Sequence, residues 1–177
     1  MKTLIVYYSF TQNNEKLAKY LHKFLNCDIV KLETVNRRSG LSILLDLMFH
    51  RSPALKTVRY YLRDYDHVIF IAPIWAGKIA MPLRTFLKKE KANIKRYSFI
   101  TLCGGAPGQK AKIEKELASV LNIMPENVIE LWINNLLPAE KKDTIKYTSG
   151  YRIQPDELWK FEKELEPVSK VDLLEGR

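Results

Sequence analysis

Ser9, Thr11, Gln12, Asn13 and Asn14 fall within six consecutive positions, between a short apolar run and a helical pattern. Their hydroxyl and amide groups are of the kind that donate to phosphate oxygens. The helix that follows adds its own donors, because its first N–H groups have no intrahelical partner and the positive end of its dipole faces the loop. The chemistry on offer is anion capture. Two more stretches carry unusual residues. Ala72-Pro73-Ile74-Trp75-Ala76-Gly77-Lys78 sets an indole near a glycine. The indole can stack on a flat ring, and Gly77 permits close backbone approach or a positive φ. Leu102-Cys103-Gly104-Gly105-Ala106-Pro107-Gly108 offers backbone amides with little side-chain obstruction. Each stretch alone also has a plainer reading: an N-cap cluster, a packing tryptophan, a turn. Together they suit a planar ring carried on a phosphate tail.

The elements that position these loops are legible as runs and periods. Thr3–Tyr8, Asp28–Leu32, His67–Ala72, Ser98–Leu102 and Val128–Trp132 read as strands. Several lack alternation, which predicts burial on both faces. Helical patterns cover Asn13–Leu25, Met81–Lys91, Gln109–Leu121 and about Pro155–Leu165, the last opening on a proline suited to a first turn. Alternating strands and helices predict a doubly wound α/β domain with a five-stranded parallel sheet and helices on both faces. With strand order 2-1-3-4-5, the three loops follow neighbouring strands and surround one crevice at their carboxyl ends.

The 177 residues suffice for a single domain with a real core, and a composition 46% apolar and 28% charged is that of an ordered globular chain. No apolar stretch is long enough to span a bilayer, and the N-terminus lacks a signal-peptide layout. Two cysteines, Cys27 and Cys103, make no disulfide framework, so a cytoplasmic location is expected. Three histidines without ligand spacing argue against a structural metal. The net charge of +9 admits phosphorylated ligands, anionic surfaces or acidic partners. Its lysines are scattered at helical spacing without a nucleic-acid motif, so no nucleic-acid partner is expected.

The irregular part is Thr34–Arg63, an apolar and basic insertion. Leu41–Phe49 (LSILLDLMF) is nearly all apolar and is flanked by Arg37, Arg38, His50 and Arg51. It can pack on the core or cover the ligand site. It can also form a homodimer surface or touch a membrane surface.

With these residues in place, the chain resembles the flavodoxin family over Met1 to about Trp132. Tyr8-Ser9-Phe10-Thr11-Gln12-Asn13-Asn14 is similar to that family's FMN phosphate loop, hydroxyl–x–Thr–Gly–Asn–Thr. Ala72-Pro73-Ile74-Trp75-Ala76-Gly77 resembles the aromatic loop beside the isoalloxazine, and Thr101-Leu102-Cys103-Gly104-Gly105 the loop at its pyrimidine end. The resemblance implies an FMN-dependent electron carrier or oxidoreductase with a redox partner protein or a small-molecule acceptor such as a quinone or nicotinamide. It implies phosphate contacts from Ser9, Thr11, Gln12, Asn13 and Asn14, and ring contacts from Pro73, Ile74, Trp75 and Ala76. Gly77 would lie near flavin N5, and Cys103, Gly104 and Gly105 near the pyrimidine edge. Cys103 has no neighbouring histidine and is expected to fill space rather than react. Lys78 and Arg84 are expected to be solvated charges.

Three departures stand out. Gln12 replaces the usual glycine, at a cost of ~1 kcal/mol if that position needs a positive φ. Asn14 replaces threonine and removes a hydroxyl, although its amide can donate instead. The third loop lacks the aromatic that covers the outer flavin face in many electron carriers. An open face suits exchange with a small substrate. A flavin-free phosphate-binding or regulatory domain, and a quinone or porphyrinogen reductase at a membrane surface, are the alternatives.

Overall fold

The computed structural model describes residues 1–49 and 51–174; of the basic flank named above, His50 lies outside them. Five parallel strands, β1 (Thr3–Tyr7), β2 (Asp28–Lys31), β3 (His67–Ile71), β6 (Tyr97–Cys103) and β7 (Val128–Trp132), form one sheet in the order β2-β1-β3-β6-β7. Counted along the main sheet this is the expected 2-1-3-4-5. Val6 registers with Val30 on one side and with Phe70 on the other, so β1 and β3 lie side by side at the centre. Such an order places a topological switch at β1/β3, with a crevice at the strands' carboxyl ends.

The apolar runs lack alternation because both faces are covered. Leu4, Val6, Phe70 and Phe99 point into one core with Leu83, Phe86, Ile113 and Leu117. These last four belong to α3 (Met81–Glu90) and α4 (Gln109–Leu121). Ile5, Tyr7, Ile69 and Leu102 point into the other core with Leu17, Ala18 and Leu21 of α1 (Asn13–Leu25). Phe161 and Leu165 complete that layer, Leu165 from α6 (Glu162–Leu174). Every residue of β1, β3 and β6 is buried.

Two elements and one side chain differ from the sequence reading. The loop after β3 is a miniature antiparallel hairpin, β4 (Ile74–Trp75) and β5 (Lys78–Ile79), turned by Ala76 at φ 49° and Gly77 at φ 73°. Two positive φ values in a two-residue loop match the type I′ turn that follows strand twist. The last helix begins later than expected: Pro155–Phe161 winds as a tighter 3₁₀ turn under a Gln154–Glu157 capping box, and α6 follows. Arg84 is no solvated charge, because its Nε lies 3.3 Å from Glu116 Oε1 in a largely buried ion pair.

The segment 34–63 contains α2 (Gly40–Phe49), which packs against α3. An antiparallel bridge between Thr34 and Leu55 closes the excursion. A short α5 (Ile145–Gly150) lies between β7 and the C-terminal elements.

Candidate functional site

The crevice forms where β1 hands over to α1. Gln12 sits at φ 69°, the left-handed conformation that glycine adopts freely and glutamine at a cost of ~1 kcal/mol. The turn it makes carries the chain directly into α1, where Lys16 N–H donates to Gln12 O at 2.9 Å. The amides before Lys16 therefore open the helix with no carbonyl one turn behind them. Glu15 does not neutralise this end, because Lys19 and Lys31 hold its carboxylate at 2.8 and 2.9 Å and keep it ionised below the usual range.

The two asparagines do something other than expected. Asn14 is 3% exposed; its Oδ1 accepts Leu102 N–H at 2.9 Å and its Nδ2 donates to Leu102 O at 3.2 Å. Asn13 likewise donates to Tyr151 O at 2.9 Å and accepts Ile153 N–H at 3.2 Å. Lys16 Nζ adds a bond to Ile153 O at 2.6 Å. The side-chain amide of Asn14, expected to replace a lost phosphate donor, is committed to β6. What Asn13 and Asn14 leave free for an anion is backbone.

These residues line a cavity of about 320 Å³. Of the residues singled out in the sequence, Thr11, Asn13, Asn14, Pro73, Ile74, Trp75, Cys103 and Gly104 meet there. Ser9 instead lines a neighbouring hollow with Lys31, Arg37, Arg38 and Lys56. Its hydroxyl is buried with no hydrogen-bond partner among the described residues. Gln12, Ala76, Gly77 and Gly105 do not line the cavity; the first shapes the turn and the next two form the hairpin tip. Gly105, at φ +88°, lies under Trp132, whose ring atoms would stand 2.6 Å from an added Cβ. Its glycine is required for packing.

Trp75 is fixed edge-on between two rings, with centroids 5.9 Å from Tyr8 and 6.2 Å from Phe10. Its hairpin is tied down from α4, where Glu116 Oε2 accepts Ile79 N–H at 3.0 Å. Burial raises the Glu116 carboxyl above its ordinary value, against the pull of that bond and of Arg84. Cys103 stays a thiol at neutral pH: burial, helped by the Glu130 charge, pushes it up to about 11. It fills space, as expected of a cysteine without a base.

Five lining residues escaped the sequence reading: Phe10, Leu102, Ile133, Thr148 and Ser149. Phe10 was inside the first motif, and its 42% exposure beside Trp75 marks a wall rather than a core residue. Thr148 and Ser149 come from α5, which carries no apolar periodicity to announce it. Thr148 Oγ1 would lie 3.2 Å from a Cβ added at Gly104, so that glycine lets α5 close on the cavity.

No protein-family model matches the chain, and no curated protein matches it in sequence. Solved structures match it in shape. A flavoprotein from Lactobacillus acidophilus NCFM, crystallised in complex with FMN, superposes with a TM-score of 0.64 at 16% identity, over 73% of this chain and 92% of that one. The apo-form of a flavoprotein from the same organism, solved by NMR, gives 0.57 at 20% identity over 72% and 88%. A presumed flavoprotein from Bacteroides eggerthii DSM 20697 gives 0.65 at 18% over 73% and 87%. At these identities the likeness establishes the fold, which is the flavodoxin-like α/β fold.

Proposed function

We propose that the crevice binds FMN and that the protein works as a flavodoxin-like redox protein. It would transfer electrons or carry out FMN-dependent oxidoreduction of a small acceptor such as a quinone or nicotinamide. The observation that carries this reading is the left-handed turn at Gln12, which opens the amides of α1 onto a cavity walled by Trp75. An anion site beside an aromatic wall takes a phosphate on a flat ring. A volume of about 320 Å³ falls within the range of small-molecule pockets. The FMN bound by the Lactobacillus flavoprotein of the same fold supports the choice of ring.

The residues fit such a group in named ways. Backbone N–H groups at Asn13 and Asn14, with the Thr11 hydroxyl, would hold the phosphate. Trp75 would flank the ring, and Gly104 would admit its edge. The flavin supplies the electron and hydride chemistry once bound; the chain binds it, orients it and limits water access. The stretch 103–110 has no aromatic residue, which favours a small acceptor reaching the ring.

The test is a visible spectrum of the protein after addition of FMN and desalting. Retained bands near ~450 nm, belonging to the isoalloxazine, are expected. A colourless protein would move the flavin-free phosphate-binding reading to first place. Reduction of the loaded protein by nicotinamide nucleotides would then separate reductase from carrier.

A further inference from the structure

α2 is packed inside out. Its one charged residue, Asp46, is turned inward, 5% exposed, and is clamped by Arg38. Arg38 also donates to Ser42 O at 3.3 Å, closing the start of the helix. Ile43 shares the buried side. Leu41, Leu44 and Met48 recur at helical spacing on the outer side, 67%, 52% and 63% exposed, and Phe49 joins them at 60%. Ten residues thus present four of the large apolar side chains found exposed among the described residues. None of the four lines the crevice, so α2 does not cover the candidate ring site as one sequence expectation had it.

The surroundings say what covers this face. In 34–63, six basic residues stand against the single carboxylate of Asp46, leaving +5 of the chain's net +9 there. Arg38 neutralises Asp46 and Lys56 is held by Glu33 at 2.8 Å, so the positive charge presented by this segment is that of the exposed arginines Arg37, Arg51, Arg59 and Arg63. Exposed Arg37 precedes the helix and exposed Arg51 follows it, with its guanidinium 5.3 Å from the Phe49 ring. A second copy laid on this face by two-fold symmetry would bring the two positive rims together. An anionic bilayer accepts both parts at once: the aliphatic stripe enters the acyl boundary and the arginines meet headgroups. No helix among the described residues is long and apolar enough to cross a membrane, so the contact would lie in the interface plane.

We propose that α2 docks this protein on anionic membrane surfaces, independently of any flavin. The test is co-sedimentation with vesicles of phosphatidylcholine, with and without phosphatidylserine. Wild-type protein is expected to pellet with the mixed vesicles and to stay in solution with phosphatidylcholine alone. Leu44→Glu with Met48→Glu should abolish pelleting while circular dichroism stays unchanged, since both side chains already face solvent. Arg37→Gln with Arg51→Gln should weaken it about 25-fold, at about fivefold per arginine. Failure of the wild type to pellet, or pelleting unaltered in the Glu pair, would overturn the proposal. So would a dimer in analytical ultracentrifugation that the Glu pair dissociates, with no vesicle affinity in either protein.

Discussion

The start of α1 and the whole of α2 solve opposite problems with the same device, a polar side chain turned inward. At α1, Asn13 and Asn14 are spent on the backbones of 151–153 and β6, which leaves main-chain donors facing outward. At α2, Asp46 is spent on Arg38, which leaves hydrocarbon facing outward. What a helix offers to a ligand or a surface is therefore set by what its inward residues consume. Composition alone does not show this: the asparagines read as ligand groups, whereas their side-chain amides are bonded to backbone.

The largest expected effect comes from breaking α2's side of this comparison. Asp46→Ala strands the Arg38 guanidinium in a largely buried place and should cost about 3 kcal/mol, read as a lower urea midpoint. The matching change at α1, Asn14→Ala, removes both bonds to Leu102 and leaves that backbone pair unsatisfied. About 2 kcal/mol is expected in the same assay, together with loss of FMN retention as the loop detaches from β6.

Cys103 sharpens the comparison from within the crevice. Its thiol ionises near an ordinary 9.0 when unfolded and at about 11 when folded. Between those values the unfolded state has lost a proton that the folded state keeps. The contribution is whole below pH 9 and lost as pH rises to 11, by about 2 kcal/mol. Denaturation midpoints across that range should fall more steeply for wild type than for Cys103→Ala. The smallest effect belongs to the turn. Gln12→Gly relieves the positive φ and should raise stability by about 1 kcal/mol or less, since glycine's unfolded-state entropy offsets part of the relief. Its α1 amides should bind phosphate as before.

The sequence reading reached all five main strands, their order and the exact span of α1 and α4, because unbroken apolar runs and a 3.6-residue period are local signals. It also placed three loops around one crevice, and named Gln12 as the strained position. It missed the destination of side chains whose partners are remote: Asn14 meets Leu102 across 88 positions and Glu116 meets Ile79 across 37. It missed Thr148 and Ser149 because α5 has no apolar stripe. LSILLDLMF gave no face to α2, since only the pairing of Arg38 with Asp46 shows which side is inside.

The central claim is that the α1 start holds the phosphate of a flavin. Its most direct test is a fluorescence titration of the protein with FMN and, separately, with riboflavin, which carries the same ring without the phosphate. FMN emission quenched stoichiometrically at low concentration, with riboflavin bound far more weakly, is the predicted result. Equal affinity for the two, or no quenching of either, would contradict it.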